Sequence, residues 1–167
     1  MTTSREIRLA SRPVGMPVAE NFQIAACELA EPGPGEVLVH NKFMSVDPYM
    51  RGRMVDRASY VPPFAIGEAL QGGAIGVVAH SNAEGLKKGD IVSSMFGWRE
   101  AFVAPAAALE KLDVPARVPM ESFLGVLGMP GLTAWAGLMQ IGKPKPGDVV
   151  FVSGAAGAVG SIVAQVA

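Results

Sequence analysis

The sequence predicts a mainly β chain: a small, partly open β-barrel, followed by the first strand and helix of a parallel α/β domain. Over residues 5–115, short apolar and β-branched segments alternate with turns rich in glycine and proline, as in small barrels. From Met120 onward the order becomes helix, turn, helix, strand, glycine turn and helix, which is typical of a parallel α/β unit. We therefore expect one domain over 1–119 and the start of a second over 120–167.

Short strands are expected in the first domain because their residues favour a half-buried pleated surface. Turns at 32–35 and 88–90 separate some of them, since glycine and proline there favour turn conformations. The expected strands are 7–10, 22–27, 36–42, 74–79, 91–94, 100–104 and 109–113.

The second domain is expected to contain a buried strand at 149–152, a glycine turn and a helix. Ala155, Gly157 and Gly160 occupy the three positions of a G-x-G-x-x-G motif, with alanine replacing the first glycine. Val159, Ile162, Val163 and Val166 then recur at helical spacing. Such a turn leaves backbone N–H groups free to bind a pyrophosphate. An ordinary glycine-rich connection between a strand and a helix is the alternative.

The sequence reaches Ala167 soon after this motif, whereas the residue that reads the cofactor ribose lies roughly 20 residues beyond such a turn. We therefore expect either a fragment of a longer protein or a truncated form. A strand at 149–152 without parallel neighbours would leave its backbone groups unpaired. The 167-residue chain alone is accordingly expected neither to turn over a dinucleotide cofactor nor to bind it tightly.

Composition narrows the partners and the compartment. Charged residues make up 17% of the chain and the formal net charge is −1, which favours neither a nucleic-acid nor an acidic-membrane partner. The uncharged stretch 124–142 contains five glycines and Pro130, so we expect two short helices meeting at 129–131 rather than a membrane span. The N-terminus lacks the apolar core of a signal peptide, and Cys27 has no intrachain disulfide partner. A cytoplasmic location is expected.

Three runs make the sequence similar to a known family: SVDPYMRGRM at 45–54, LGMPGLTAW at 127–135 and AAGAVGS at 155–161. They resemble the zinc-free medium-chain dehydrogenase/reductases, especially the NADP-dependent alkenal, prostaglandin and curcumin reductases. The resemblance covers essentially the whole chain but only about half of a family member. It implies a GroES-like catalytic domain, a Rossmann domain, NADP as cofactor, a small enone or quinone substrate, and a homodimer at full length.

No metal site is expected. Zinc members of the superfamily use cysteines and a Gly-His-Glu run, but here the corresponding run is Gly67-Glu68-Ala69. Cys27, His40 and His80 are too few to form either zinc site. Without a metal to polarise a carbonyl, alcohol oxidation is disfavoured and conjugate reduction favoured.

Tyr49 and Tyr60 are the candidate catalytic residues. Hydride addition to an enone places negative charge on its carbonyl oxygen, which a neutral phenol can stabilise by donating a hydrogen bond. Both match tyrosines that line the reductase active site, although each could simply be an amphipathic residue at a domain edge. Arg51 and Arg53 are expected on a solvated loop face, with steering of an anionic substrate or bracing of the loop against the cofactor as alternatives.

Two of the candidate cofactor-binding residues, Met129 and Thr133, are assigned by the same resemblance with packing as the alternative, and the others belong to the glycine turn. The candidates are Met129, Thr133, Gly157, Ala158, Val159 and Gly160. We therefore expect an NADPH-dependent reductase that transfers a hydride to the activated C=C bond of an α,β-unsaturated carbonyl. The alternatives are an NADPH quinone reductase and, from another class, a non-catalytic β-barrel binding fragment.

Overall fold

The computed structural model describes residues 2–167 and divides the chain into two compact units, Met1–Val114 and Pro115–Ala167. All seven expected strands form in the first unit, most of them with ends shifted by one or a few residues. The strands are β1 Thr2–Leu9, β2 Phe22–Leu29, β3 Glu36–Met44, β4 Ala74–Ser81, β5 Ile91–Ser94, β6 Ala101–Pro105 and β7 Glu110–Leu112.

The strands form two antiparallel sheets that do not close. β1 pairs with β2, while the other five lie in the order β6-β3-β4-β5-β7. Isolated bridges also occur, such as the one from Glu6 of β1 to Arg99 and the one from Gly72 to Phe96. The register of β3 against β4 shifts twice, which increases local twist and bends the sheet. The predicted partly open barrel is thus confirmed.

The first unit has two hydrophobic clusters. One fills the five-stranded sheet around Val39, Val78 and Phe102. The other combines Leu9 of β1 and Leu70 with Met50 and Met54. Met50 belongs to a short helix that the sequence did not predict, α1 Tyr49–Arg53, and Met54 follows that helix directly. The second cluster therefore holds α1 against the barrel.

The second unit is helical. A 3-10 turn at Met120–Leu124 precedes α2 Met129–Trp135, which continues as a π-helical segment at Ala136–Gly142; α3 is Gly160–Val166. The prediction of two short helices that meet at 129–131 is therefore wrong: one helical segment begins at Met129 and runs on to Gly142, and only turns separate it from the 3-10 turn that ends at Leu124. A Cβ on Gly131 would collide with the carbonyl oxygen of Val126, so the chain can make this approach only with glycine. No helix within residues 2–167 is long and apolar enough to cross a membrane.

The strand expected at 149–152 does not form. These residues have no regular structure, and Val149 and Phe151 are 97% and 90% exposed. A parallel strand exists only through hydrogen bonds to its neighbours, and the second unit provides no other strand. Local apolar sequence alone therefore does not produce a strand here.

Candidate functional site

A groove of about 610 Å³ lies beside α1 in the first unit, and both tyrosines of the chain line it. Its lining contains three arginines and no carboxylate. The lining residues are Pro48, Tyr49, Arg51, Gly52, Arg53, Val55, Arg57, Ser59, Tyr60, Val61 and Pro63. Two residues selected separately in the sequence thus share one cavity.

Tyr49 is held by the turn that starts α1. The hydroxyl of Ser45 donates to Oδ1 of Asp47 at 2.9 Å, and the backbone N–H of Met50 donates to the Asp47 carbonyl at 3.0 Å. Because Met50 is fully packed in the second cluster, the neighbouring Tyr49 is held partly buried at the groove. Asp47 thus pins this turn.

The pKa of the Tyr49 phenol lies above its ordinary value. Burial is the main cause, because it disfavours the phenolate, and the negative charge of Asp47 acts in the same direction. The positive charge of Arg53 partly opposes this rise. Tyr49 is accordingly a neutral hydrogen-bond donor at physiological pH.

Tyr60 stands on the loop that follows α1 and is 87% exposed. Within residues 2–167, its hydroxyl makes no hydrogen bond to another residue. The chain just beyond it is fixed, since the N–H of Phe64 donates to the carbonyl of Arg53 at 2.7 Å. The Tyr60 hydroxyl is therefore available to a bound molecule.

Arg53 corrects the sequence analysis, which placed it on a solvated loop face. Arg53 is only 9% exposed, and its guanidinium donates to the Pro62 carbonyl and to Oε1 of Gln71, both at 2.9 Å. Arg51 also bonds within the unit, because its Nη2 donates to the Gly15 carbonyl at 2.5 Å. Arg53 thus braces the loop through contacts within the first unit, whereas the bracing considered from the sequence was against the cofactor. The four-residue spacing between Tyr49 and Arg53 could have predicted that the two residues lie on the same side of α1, because residues four apart lie on the same face of a helix.

The potential metal ligands of the first unit lie apart. His80 is exposed on β4 and its Nε2 lies 3.1 Å from Oδ1 of Asn82, while the Cys27 sulfur accepts a hydrogen bond from Arg8 at 3.3 Å. His40 lies half-buried on β3. Among residues 2–167, no group of three or more His, Cys, Asp and Glu side chains is placed to hold a metal ion.

The glycine turn of the second unit is tightly folded. Gly154 has a φ of 65°, and the N–H of Gly157 donates to its carbonyl at 2.8 Å. A Cβ on Gly160 would collide with that same carbonyl, so the turn and the start of α3 require glycine there. The N–H groups of Ala158 and Val159 have no acceptor among residues 2–167. These free donors and small side chains fit the backbone surface that a phosphate group binds.

The other two cofactor candidates lie on α2. Met129 is 72% exposed, and Thr133 is also exposed. The Thr133 hydroxyl donates to the Met129 carbonyl at 2.7 Å, one helical turn back. Neither side chain contributes to the buried part of the second unit.

Comparison with known proteins shows the family of this chain. Residues 5–112 match the family model described as the N-terminal domain of oxidoreductase. The NADPH-dependent curcumin reductase of Escherichia coli is 46% identical over 95% of this chain and 46% of its own length. The NADP-dependent 2-alkenal reductase of Nicotiana tabacum is 38% identical over 99% and 49%. The solved structure of CurA from Vibrio vulnificus in complex with NADPH has a TM-score of 0.87 and 43% identity, covering 97% of this chain and 48% of that one.

The chain therefore belongs to the family of oxidoreductase N-terminal domains. Its relatives are the curcumin, alkenal and prostaglandin reductases, so the predicted resemblance to this group of medium-chain dehydrogenase/reductases is confirmed. The chain spans about half the length of the curated relatives it matches.

Proposed function

We propose that this chain is the N-terminal part of an NADPH-dependent reductase that transfers a hydride to the C=C bond of an α,β-unsaturated carbonyl compound. One observation carries the proposal: Tyr49 and Tyr60 line the same groove. Relatives whose names specify NADPH-dependent curcumin reduction and NADP-dependent alkenal reduction support the reaction class.

NADPH would supply the hydride when bound. In the second unit, Gly157, Ala158, Val159 and Gly160 would hold its pyrophosphate, since the turn offers free N–H donors and little side-chain bulk. Met129 and Thr133 would contact the nicotinamide end. The NADPH complex of the related CurA structure supports the choice of cofactor.

The tyrosines would act on the substrate carbonyl. As hydride reaches the β-carbon, negative charge develops on the carbonyl oxygen, and a phenol aimed at this oxygen stabilises it. A tyrosine phenol is already protonated at neutral pH, the raised pKa of Tyr49 keeps it further from ionisation, and the Tyr60 hydroxyl is exposed. We propose both as hydrogen-bond donors to this oxygen, and a proton taken from water then adds to the α-carbon and completes the reduction.

Quinone reduction is the second candidate. A quinone oxidoreductase of Pseudomonas syringae has a related structure, with a TM-score of 0.66 and 30% identity. A quinone is also a conjugated carbonyl compound, so the same donors could serve it.

The deciding experiment follows NADPH oxidation by a full-length protein containing this chain, with enones and quinones supplied separately. Enone-dependent oxidation that yields the saturated ketone supports the proposal. Oxidation with quinones alone supports the second candidate, and oxidation with neither would contradict both. Replacing NADPH by NADH in the same assay tests the cofactor.

We also propose a domain division at 1–119 and 120–167, with a GroES-like domain preceding the start of a Rossmann domain. For the whole protein we propose zinc-independent catalysis, a homodimer and a cytoplasmic location. Elemental analysis, light scattering of the purified protein and fractionation of its native cells would test these three points. Stoichiometric, tightly held zinc would contradict the first of them.

A further inference from the structure

Arg53 connects the two parts of the chain that carry the groove tyrosines. It ends α1, four residues after Tyr49, and is buried at 9% exposure. Its Nε donates to the Pro62 carbonyl and its Nη2 to Oε1 of Gln71, each at 2.9 Å. The guanidinium carbon also lies 4.1 Å from the ring centroid of Phe64. One side chain thus holds the segment 62–64 by a hydrogen bond and by stacking.

The backbone of Arg53 contributes as well, because its carbonyl accepts the N–H of Phe64. These contacts begin only two residues after Tyr60, whose own side chain is exposed and makes no hydrogen bond to another of the described residues. The loop position of Tyr60 therefore depends on its anchored flank rather than on its own contacts. That anchor is the helix that carries Tyr49.

We infer that Arg53 is a positioning residue that sets Tyr60 relative to Tyr49 across the groove. The expected effect on turnover rests on the function proposed above. The expected effect on the position of Tyr60 does not. Lysine cannot replace arginine in this role, because a single ammonium cannot form the two separately directed hydrogen bonds and stack on Phe64 at the same time.

Arg99 provides a matched control in the same unit. Its guanidinium also donates to two carbonyls, of Leu70 at 3.1 Å and Gly97 at 3.3 Å, and lies 5.7 Å from the Phe96 ring. It lines a different cavity, which contains neither tyrosine. Arg99→Lys should therefore lose the same kinds of contact, namely hydrogen bonds to two acceptors and a ring contact, without disturbing the groove that the tyrosines line.

The test labels a full-length protein containing this chain with 3-fluorotyrosine and compares Arg53→Lys with Arg99→Lys. Tyr49→Phe and Tyr60→Phe assign the two fluorine signals. We expect Arg53→Lys to shift the Tyr60 signal and to lower kcat with an enone about tenfold, with KM for NADPH within about twofold of wild type. Arg99→Lys should leave the Tyr60 signal and kcat near wild type.

An unchanged Tyr60 signal in Arg53→Lys, or equal changes in Arg99→Lys, would overturn the inference. Should Arg53→Lys fail to fold, Gln71→Ala serves instead. It removes one of the two oxygens to which the Arg53 guanidinium donates, and Gln71 is an exposed residue. This variant should shift the Tyr60 signal in the same direction, and an unshifted signal counts against the inference. A shifted signal with unchanged kcat supports the positioning and contradicts a catalytic role for Tyr60. Absence of enone-dependent turnover in the wild type contradicts the proposed function alone.

Discussion

The hydroxyl of Ser4 on β1 and the backbone of Ala101 on β6 form a reciprocal pair of hydrogen bonds. The Ser4 hydroxyl donates to the Ala101 carbonyl and accepts from the Ala101 N–H, both at 2.9 Å. Ser4 is only 2% exposed, so water does not compete for these groups. The pair joins the two-stranded sheet to the edge of the five-stranded one.

Ser4→Ala should therefore destabilise the first unit by about 1–3 kcal/mol, because it leaves two buried backbone groups of Ala101 unsatisfied. Urea unfolding followed by circular dichroism measures the loss. Ser81→Ala is the matched control, since its hydroxyl makes a similar reciprocal pair with Ala83, but locally and at 3.2 Å. We expect the control to lose clearly less stability; equal losses would show that joining the sheets contributes nothing beyond a local pair.

Tyr60→Phe should lower kcat for an enone about tenfold or more in the full-length protein, because the missing hydroxyl no longer stabilises the developing enolate. Since Tyr60 is exposed and its hydroxyl has no partner among the described residues, the melting temperature should stay unchanged. Steady-state kinetics and a thermal melt measure the two quantities. Unaltered kinetics would mean that Tyr60 is only a surface residue beside the groove.

Gly160→Ala should weaken NADPH binding by about tenfold or more, because a Cβ there collides with the Gly154 carbonyl and must open the turn. A fluorescence titration of the full-length protein with NADPH measures the dissociation constant. Gly137→Ala is the control, since a Cβ at that helical position meets no atom within 4 Å beyond its chain neighbours and its own helix backbone. Equal affinities for wild type and Gly160→Ala would remove this turn from the proposed cofactor site.

The ion pair of Asp90 and Lys111 should make the free energy of unfolding of the first unit vary with pH in the acidic range. The Lys111 ammonium, 2.7 Å from the Asp90 carboxylate, is the main cause of the lowered Asp90 pKa, and the backbone N–H of Lys87 adds to it. The pKa of Asp90 is thus lower in the folded protein than in the unfolded chain, where it is about 3.9. The ion pair therefore stabilises the fold fully above that unfolded-state pKa, and this contribution is lost as the pH falls through the folded-state pKa.

Lys111→Met should thus melt at a lower temperature than wild type at neutral pH, with the gap narrowing below about pH 4 and at high salt. Melting curves across pH and salt provide the measurement. Lys88→Met, which removes a neighbouring lysine that forms no ion pair among the described residues, should show no such dependence. A gap that stays constant with pH would contradict this account.

The amides of residues 149–152 should exchange with solvent at least about 100-fold faster than those of Val39 and Val78, because no hydrogen bond within residues 2–167 uses them as donors. Hydrogen exchange of the 167-residue chain, read by mass spectrometry of peptides, tests this. Its oligomeric state must be checked in the same buffer, since pairing with another copy would protect these amides. Protection equal to that of β3 in a proven monomer would contradict the prediction.

Local sequence was sufficient for most of the first unit. Alternating apolar residues, together with the turns at 32–35 and 88–90, predicted all seven strands, because strand formation and turn geometry depend on neighbouring residues. The runs around Tyr49, Met129 and Gly157 were sufficient to predict the family. Both tyrosines were selected because of the hydroxyl chemistry that an enone needs.

Only the tertiary structure decided how these parts meet. No local pattern encodes contacts between residues that lie far apart in the sequence. Three features depend on such contacts, over separations of up to 97 positions: the strand order β6-β3-β4-β5-β7, the burial of Arg53 against Phe64, and the hydrogen bonds between Ser4 and Ala101. The apolar run 149–152 shows the reverse case. Its sequence favours a strand, but a strand is stabilised by a neighbour's backbone, and no neighbouring strand lies within the described part of its unit.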